Sequence, residues 1–201
     1  MKALGKGSIA SIVEIGLTIA WYVLWAAAIC LAVGAVGYAV VLVLIQNGTV
    51  DPAILSGGEG HVRLGGGDGS SFHLTYNDPG GATWPVVVPA LLIGGVAITG
   101  SLIIVWRLRK LFDSFTSGEP FRRENAQHLR AIWMTMLAIE VARYLLLALT
   151  AALLAAFEPD IDANFTFNLD LSTWGSILIL IVLAEVFREG ARLREEQELT
   201  I

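Results

Sequence analysis

Long runs of apolar residues dominate the pattern of this 201-residue chain. A membrane-spanning helix needs about 20 mostly apolar residues to cross roughly 30 Å of hydrocarbon. Four stretches meet or nearly meet this requirement, and they predict transmembrane helices over residues 26–45, 86–106, 132–157 and 174–193. The fourth stretch is apolar only as far as Phe187, so its predicted end at Leu193 requires the charged residues that follow to lie partly in the membrane.

The segment before the first span, residues 1–25, has its polar residues on one helical stripe. These residues are Gly7, Ser11, Glu14 and Thr18. Such a stripe is typical of a helix that lies along the membrane interface, although a first span that simply extends beyond the membrane fits equally well. We expect this start to act as a signal anchor, because its apolar run is too long for a cleaved signal peptide and no small-x-small cleavage site follows.

Basic residues are distributed unevenly among the connecting segments. Residues 1–25, 107–131 and 194–201 hold nine Lys and Arg, whereas residues 46–85 and 158–173 hold only Arg63. Short cytoplasmic segments of membrane proteins collect Lys and Arg. We therefore predict that both termini and the helical loop 107–131 are cytoplasmic, and that the other two connecting segments lie on the opposite side.

The two connecting segments on that opposite side have the patterns of strands. Residues 161–171 alternate between apolar and polar side chains, which is typical of a half-buried strand. Two short runs, HVRL and SFHLTY, flank the sequence GGGDGS and predict a hairpin. The predicted fold class is thus an all-α integral membrane protein, a four-helix transmembrane bundle with a small extracytoplasmic β-sheet.

Composition and charge exclude several classes of protein. The chain is 55% hydrophobic and only 15% charged, which disfavours a water-soluble monomer. Its 13 Lys and Arg against 18 Asp and Glu disfavour direct nucleic-acid binding. A disulfide within the chain is excluded because Cys30 is the only cysteine.

Charged residues inside the predicted spans occur only in the third and fourth. An ionisable group there costs about 2.5–3.5 kcal/mol on insertion scales and is by default a functional candidate. Antiparallel helices would bring Glu140 and Arg143 to the depth of Glu185 and Arg188, so we predict that these four residues form a buried polar cluster. The cluster is either a polar core that a ligand, proton or partner helix switches, or a set of ion pairs that only fixes helix register.

No catalytic, metal-binding or cofactor-binding set is predicted. The sequence has no evident pairing of nucleophile and base, no phosphate loop and no metal-ligand spacing. His61 and His73 would lie nearly opposite each other in the hairpin, but a third ligand is missing, and ordinary surface histidines are the preferred interpretation. Small residues, including Gly94 and Gly95, predict a close-approach surface on the second span.

Two motifs resemble a bacterial family of four-span inner-membrane proteins catalogued as a domain of unknown function. They are GEPFRRENAQHLRAI at residues 118–132 and ILILIVLAEVFREGARLREEQELTI at residues 177–201. Members of that family are often encoded beside a Cro/CI-type helix-turn-helix regulator. The resemblance therefore implies a bacterial inner-membrane location and a cytoplasmic surface that docks such a regulator. The residues predicted for that surface are Gly118, Pro120, Phe121, Arg122, Arg123, Asn125, Arg130, Gly190, Arg192 and Leu193.

These observations leave two functional hypotheses. The first is a non-enzymatic regulatory protein that senses a signal and binds or sequesters a helix-turn-helix regulator. The second is a transporter of a small solute or lipid that uses the charges of the third and fourth spans. The small size of the chain and the absence of an inverted repeat in its sequence disfavour transport. The expected partners are the lipid bilayer and the regulator, and a homo-oligomer of the chain is left open as a third.

Overall fold

The computed structural model describes residues 9–51, 55, 61–64, 71–75, 83–116, 123–157, 163–166 and 171–198. Its helices are α1 (Ile9–Gln46), α2 (Trp84–Thr116), α3 (Arg123–Phe157) and α4 (Leu171–Glu198). Its strands are β1 (His61–Leu64), β2 (Ser71–Thr75) and β3 (Ala163–Thr166). Each of the four helices is long and apolar enough to cross a membrane, which supports the prediction of a multi-pass membrane protein.

Helix α1 is one unbroken helix from Ile9 to Gln46, so the described part of the predicted interfacial segment is continuous with the first span. Its end is a Schellman motif, in which Gly48 has a left-handed φ of 67°. The Gly48 N–H donates to the Ile45 carbonyl at 3.0 Å, and the Thr49 N–H donates to the Leu44 carbonyl at 3.0 Å. The placement of residues 1–25 at the membrane interface stays a prediction.

The other helices also extend beyond the predicted spans. Helix α2 continues to Thr116, and α3 begins at Arg123. The extension of α2 agrees with the i, i+3, i+4, i+7 spacing of Leu108, Leu111, Phe112 and Phe115, which predicts an amphipathic helix. Helix α4 begins at Leu171, which corrects the assignment of that residue to the preceding strand. Its other end is Glu198, five residues past the predicted end of the span.

The three strands form an antiparallel sheet in the order β1-β2-β3. In the hairpin, His61 pairs with Thr75 and Arg63 pairs with His73. The two histidines are therefore not directly paired, but they are diagonal neighbours on adjacent strands. Strand β2 precedes α2 and β3 precedes α4 in the chain, so the β2–β3 pairing joins the segments that lead into those two helices.

The chain divides into two compact units. The first contains Met1–Ala27, Ile98–Ile139 and Ser172–Ile201, and the second contains Ala28–Ala97 and Glu140–Leu171. All four helices contribute to the first unit, and the sheet belongs to the second.

The core of the first unit is formed where α2, α3 and α4 meet. Leu111, Leu129 and Ala184 are buried there. Phe115 and Phe187 pack against this core with their ring centroids 5.9 Å apart. Because each of the three helices contributes a buried side chain, the hydrophobic effect holds the three helices together in this part of the unit.

Helices α2 and α3 approach closely in both units. In the first unit, a Cβ on Gly100 would lie 2.4 Å from Cδ1 of Ile139, so the backbone of α2 is very close to that side chain. In the second unit, the rings of Trp84 and Phe157 meet edge to face, with centroids 5.1 Å apart. Gly94 also belongs to the second unit, where its Cβ position is 3.1 Å from Leu31.

Much of the outer helix surface is apolar. Several large apolar side chains are 67–70% exposed, among them Tyr22 and Val33 of α1 and Ile179 of α4. The most apolar stretch of α1 contains no buried residue. Exposing this much apolar surface to water is unfavourable. Contact with lipid tails removes that cost, which agrees with four membrane-spanning helices.

Candidate functional site

A cavity of about 440 Å³ lies between α3 and α4 in the first unit. Its lining comes from one face of each helix, because the residues recur every three or four positions. Helix α3 contributes Arg123, Ala126, Gln127, Arg130 and Trp133. Helix α4 contributes Ile181, Ala184, Glu185 and Arg188.

The cavity changes from charged to apolar along its length. On α3, Arg123 and Arg130 precede Trp133, and about seven residues of helix, or roughly 10 Å, separate the two arginines. On α4, the order from the apolar to the charged end is Ile181, Glu185 and Arg188. Trp133 packs against the core of the first unit, which fixes the apolar wall of the cavity.

The charges of the cavity are not balanced. Glu185 and Arg188 form an ion pair within α4. Arg123 and Arg130 are exposed, and neither makes an ion pair within the part of the chain that the structure describes. Among the described residues, the cavity therefore carries two positive charges that no carboxylate pairs with, next to an apolar wall.

The four charged residues predicted to form a cluster make two pairs, each within a single helix. In the second unit, Arg143 Nη2 lies 2.8 Å from Glu140 Oε2, and the two side chains are 13% and 8% exposed. These atoms are at ion-pair distance, but their angles do not meet the geometry of a hydrogen bond. In the first unit, the side chains of Glu185 and Arg188 are 60% and 69% exposed.

This difference in exposure follows from position on the helix. Glu140 and Arg143 face packed side chains, whereas Glu185 and Arg188 line the open cavity between α3 and α4. Burial was expected for all four, and the structure gives it to the first two only. A joint cluster of the four stays a prediction.

Asn125 was predicted to contact a partner, but the structure buries it to 1% exposure. Its Nδ2 donates a hydrogen bond to Oγ of Ser114, which in turn donates to the Leu111 carbonyl at 2.9 Å. These bonds tie the start of α3 to the end of α2. Asn125 is thus a residue that positions the connection between the helices, and its side chain is not on the docking surface.

The remaining predicted docking residues fall into three groups. Arg123 and Arg130 line the cavity. Arg192 and Leu193 are exposed near the end of α4, and Gly190 is half-buried there. Four residues lie outside the described part of the chain: Gly118, Pro120, Phe121 and Arg122.

Ion pairs link charged side chains along the exposed end of α4. Arg192 Nε donates to Glu196 Oε1 at 2.9 Å, and Arg192 Nη1 lies 3.6 Å from Glu189 Oε1. Exposed pairs of this kind contribute little to stability, because water and salt screen the charges. Leu193, which is 52% exposed, adds an apolar contact surface to this charged end.

A second set of basic residues lies at the corresponding end of α2. Lys110 Nζ is 4.0 Å from the ring centroid of Trp106, and Arg109 is 6.0 Å from that of Trp21 on α1. Arg107 Nη1 contacts His128 Nδ1 of α3 at 3.2 Å. Because arginine only donates, Nδ1 of this histidine acts as the acceptor and carries no proton in this contact.

Five of the nine residues that line the cavity were not among the candidate residues: Ala126, Gln127, Trp133, Ile181 and Ala184. The signal that identifies them is their three- and four-residue spacing from Arg123, Arg130, Glu185 and Arg188 on the same helix faces. Within the described ranges, no group of three or more His, Cys, Asp or Glu side chains is placed to hold a metal ion.

Comparison with known proteins identifies a family. A family described as "Protein of unknown function (DUF2975)" matches residues 75–201, which include α2, α3, α4 and both walls of the cavity. No curated protein and no solved structure matches the chain. The match confirms the resemblance to a domain of unknown function. Since it covers more than half of the sequence, the chain belongs to the DUF2975 family.

Proposed function

We propose that this protein is a non-enzymatic regulatory component of the bacterial inner membrane that binds a cytoplasmic helix-turn-helix transcription regulator. The observation that carries this proposal is the end of α4. There, Leu193 is an exposed apolar side chain beside the ion-paired Arg192, and the helix continues to Glu198. An apolar contact surrounded by charged groups is a common composition for a protein interface.

The distribution of basic residues supports docking on the cytoplasmic side. The end of α2, the start of α3 and the end of α4 belong to the basic segments of the sequence. Under the positive-inside rule those segments face the cytoplasm. A soluble DNA-binding protein would then reach Arg192 and Leu193 without crossing the membrane.

We propose that the sheet transmits a signal from the extracytoplasmic side of the membrane to the helices. Strands β2 and β3 pair with each other and precede α2 and α4, respectively. A stimulus that alters the sheet therefore acts on the segments that lead into both helices. We propose that such a change alters the affinity of the end of α4 for the regulator.

Co-purification from the native host tests this proposal. The tagged full-length protein is expected to recover a helix-turn-helix protein, and Leu193→Asp is expected to abolish that recovery because it places a charge in the apolar contact. Leu178→Asn, at an exposed site in the middle of α4, is the control and is expected to keep the partner. Recovery that is equal for wild type and Leu193→Asp, or no helix-turn-helix protein at all, would contradict the proposal.

The buried ion pair supports a second candidate, transport of a small solute or lipid. Glu140 is 6% exposed inside a helix that is long and apolar enough to span the membrane. Buried ionisable groups in membrane helices commonly mark substrate or proton pathways. Uptake into proteoliposomes that is lost in Glu140→Gln would favour transport, and a lack of any uptake would leave the regulatory function.

A further inference from the structure

We propose that the cavity between α3 and α4 is a binding site for an anionic phospholipid, with the phosphate at Arg123 and Arg130 and an acyl chain along Trp133 and Ile181. This inference is independent of the regulator, because it rests on the cavity and not on the end of α4. The ligand is a lipid of the bilayer leaflet in which the charged end of the cavity lies.

Charge is the first argument for this ligand. Arg123 and Arg130 lack an ion-pair partner among the described residues, whereas Glu185 in the same cavity is neutralised by Arg188. The site thus has a net charge of about two positive units. Guanidinium groups form paired hydrogen bonds with phosphate oxygens, and basic pockets between membrane helices bind anionic headgroups.

The polarity gradient is the second argument. The arginines lie at the start of α3, next to the connection between helices, and Trp133 and Ile181 lie further into the apolar segments. A phospholipid has the same order of groups, from phosphate to acyl chain. Tryptophan is enriched at the membrane interface, which is where this gradient places Trp133.

The gradient also distinguishes the lipid from other anions. A free phosphate or an acidic peptide would satisfy the two arginines but would make no use of the apolar wall. Ile181 is 38% exposed and Val182 beside it is 63% exposed, so the apolar wall continues onto the outer surface of α4. An acyl chain can therefore leave the cavity directly into the surrounding bilayer.

Native mass spectrometry of the full-length protein in a neutral detergent tests the site. Phosphatidylglycerol is expected to bind at least about tenfold more tightly than phosphatidylcholine with the same acyl chains. The double variant Arg123→Gln/Arg130→Gln is expected to lose about 10- to 30-fold of that affinity, given about 1 kcal/mol for each basic residue near an anionic surface. Arg109→Gln/Lys110→Gln removes the same charge outside the cavity and is expected to bind as wild type does.

Two further measurements keep the test decisive. Gln127→Glu introduces a negative charge into the cavity with almost no change in size, so it is expected to weaken phosphatidylglycerol binding even if the double variant does not fold. Glycerol 3-phosphate, a headgroup without acyl chains, is expected to compete poorly. Equal affinity for both lipids, full binding by Gln127→Glu, or effective competition by glycerol 3-phosphate would each overturn the lipid assignment.

Discussion

Asn125 at the start of α3 donates a hydrogen bond to the hydroxyl of Ser114 at the end of α2, and both side chains are buried. The pair spans the connection between the two helices, where Leu111 and Leu129 form part of the core of the first unit. The GEPFRREN motif of the sequence thus includes a buried residue whose role is structural.

We expect Asn125→Ala to lower the free energy of unfolding by about 1–3 kcal/mol, because it removes a buried hydrogen bond and leaves a void. Thermal unfolding in detergent, followed by circular dichroism, measures this loss. Gln127→Ala, on the exposed side of the same helix, is the control and should change the stability little. If Asn125→Ala lowers stability by no more than Gln127→Ala, the bond to Ser114 is not structural.

Gly100 allows the backbone of α2 to approach Ile139. A methyl group there would lie 2.4 Å from Cδ1 and 2.6 Å from Cγ1 of that side chain. We therefore expect Gly100→Ala to destabilise the protein by about 1–3 kcal/mol, the usual cost of overpacking, and Ile139→Ala to rescue it in part by removing the clash. The control is Gly16→Ala, which meets nothing within 4 Å. Melting temperatures of the four proteins measure the effect, and a destabilised Gly16→Ala beside an unaffected Gly100→Ala would contradict it.

The Glu140–Arg143 pair predicts a specific order of stabilities. Arg143→Met leaves a buried carboxylate without its cation, and breaking such a pair costs about 3–5 kcal/mol. The double variant Glu140→Gln/Arg143→Met removes both charges, so we expect it to be more stable than the single variant. Unfolding in detergent or lipid nanodiscs tests this order. A double variant that is less stable than Arg143→Met would show that Glu140 is held by other groups.

The sequence predicted the helices because their signal is local. Long apolar runs indicate the spans without any knowledge of packing, although the fourth run ends already at Phe187. The spacing of Leu108, Leu111, Phe112 and Phe115 predicted the extension of α2. The predicted ends of the helices were less accurate than their number and type. The alternation of apolar and polar residues that ends at Leu171 is continuous with the apolar run of α4. The pattern alone therefore assigned Leu171 to the strand.

The candidate site was predictable only in part, because its geometry is tertiary. Charge and resemblance identified Arg123, Arg130, Glu185 and Arg188, but assigned them to two separate features, whereas the packing of α3 on α4 brings them into one cavity. Asn125 was assigned to the docking surface because it belongs to the loop motif that resembles the family. Its burial depends on Ser114, eleven residues away on another helix.

Site-specific photocrosslinking in living cells tests whether the end of α4 binds a transcription regulator. A photoreactive phenylalanine derivative replaces Leu193 at the exposed end of α4, and a control carries it at Leu178, which is 62% exposed in the apolar part of the same helix. We expect position 193 to crosslink to a helix-turn-helix DNA-binding protein, and position 178 not to do so. A helix-turn-helix protein crosslinked equally from both positions, or from neither, would contradict the claim that the end of α4 holds a transcription regulator.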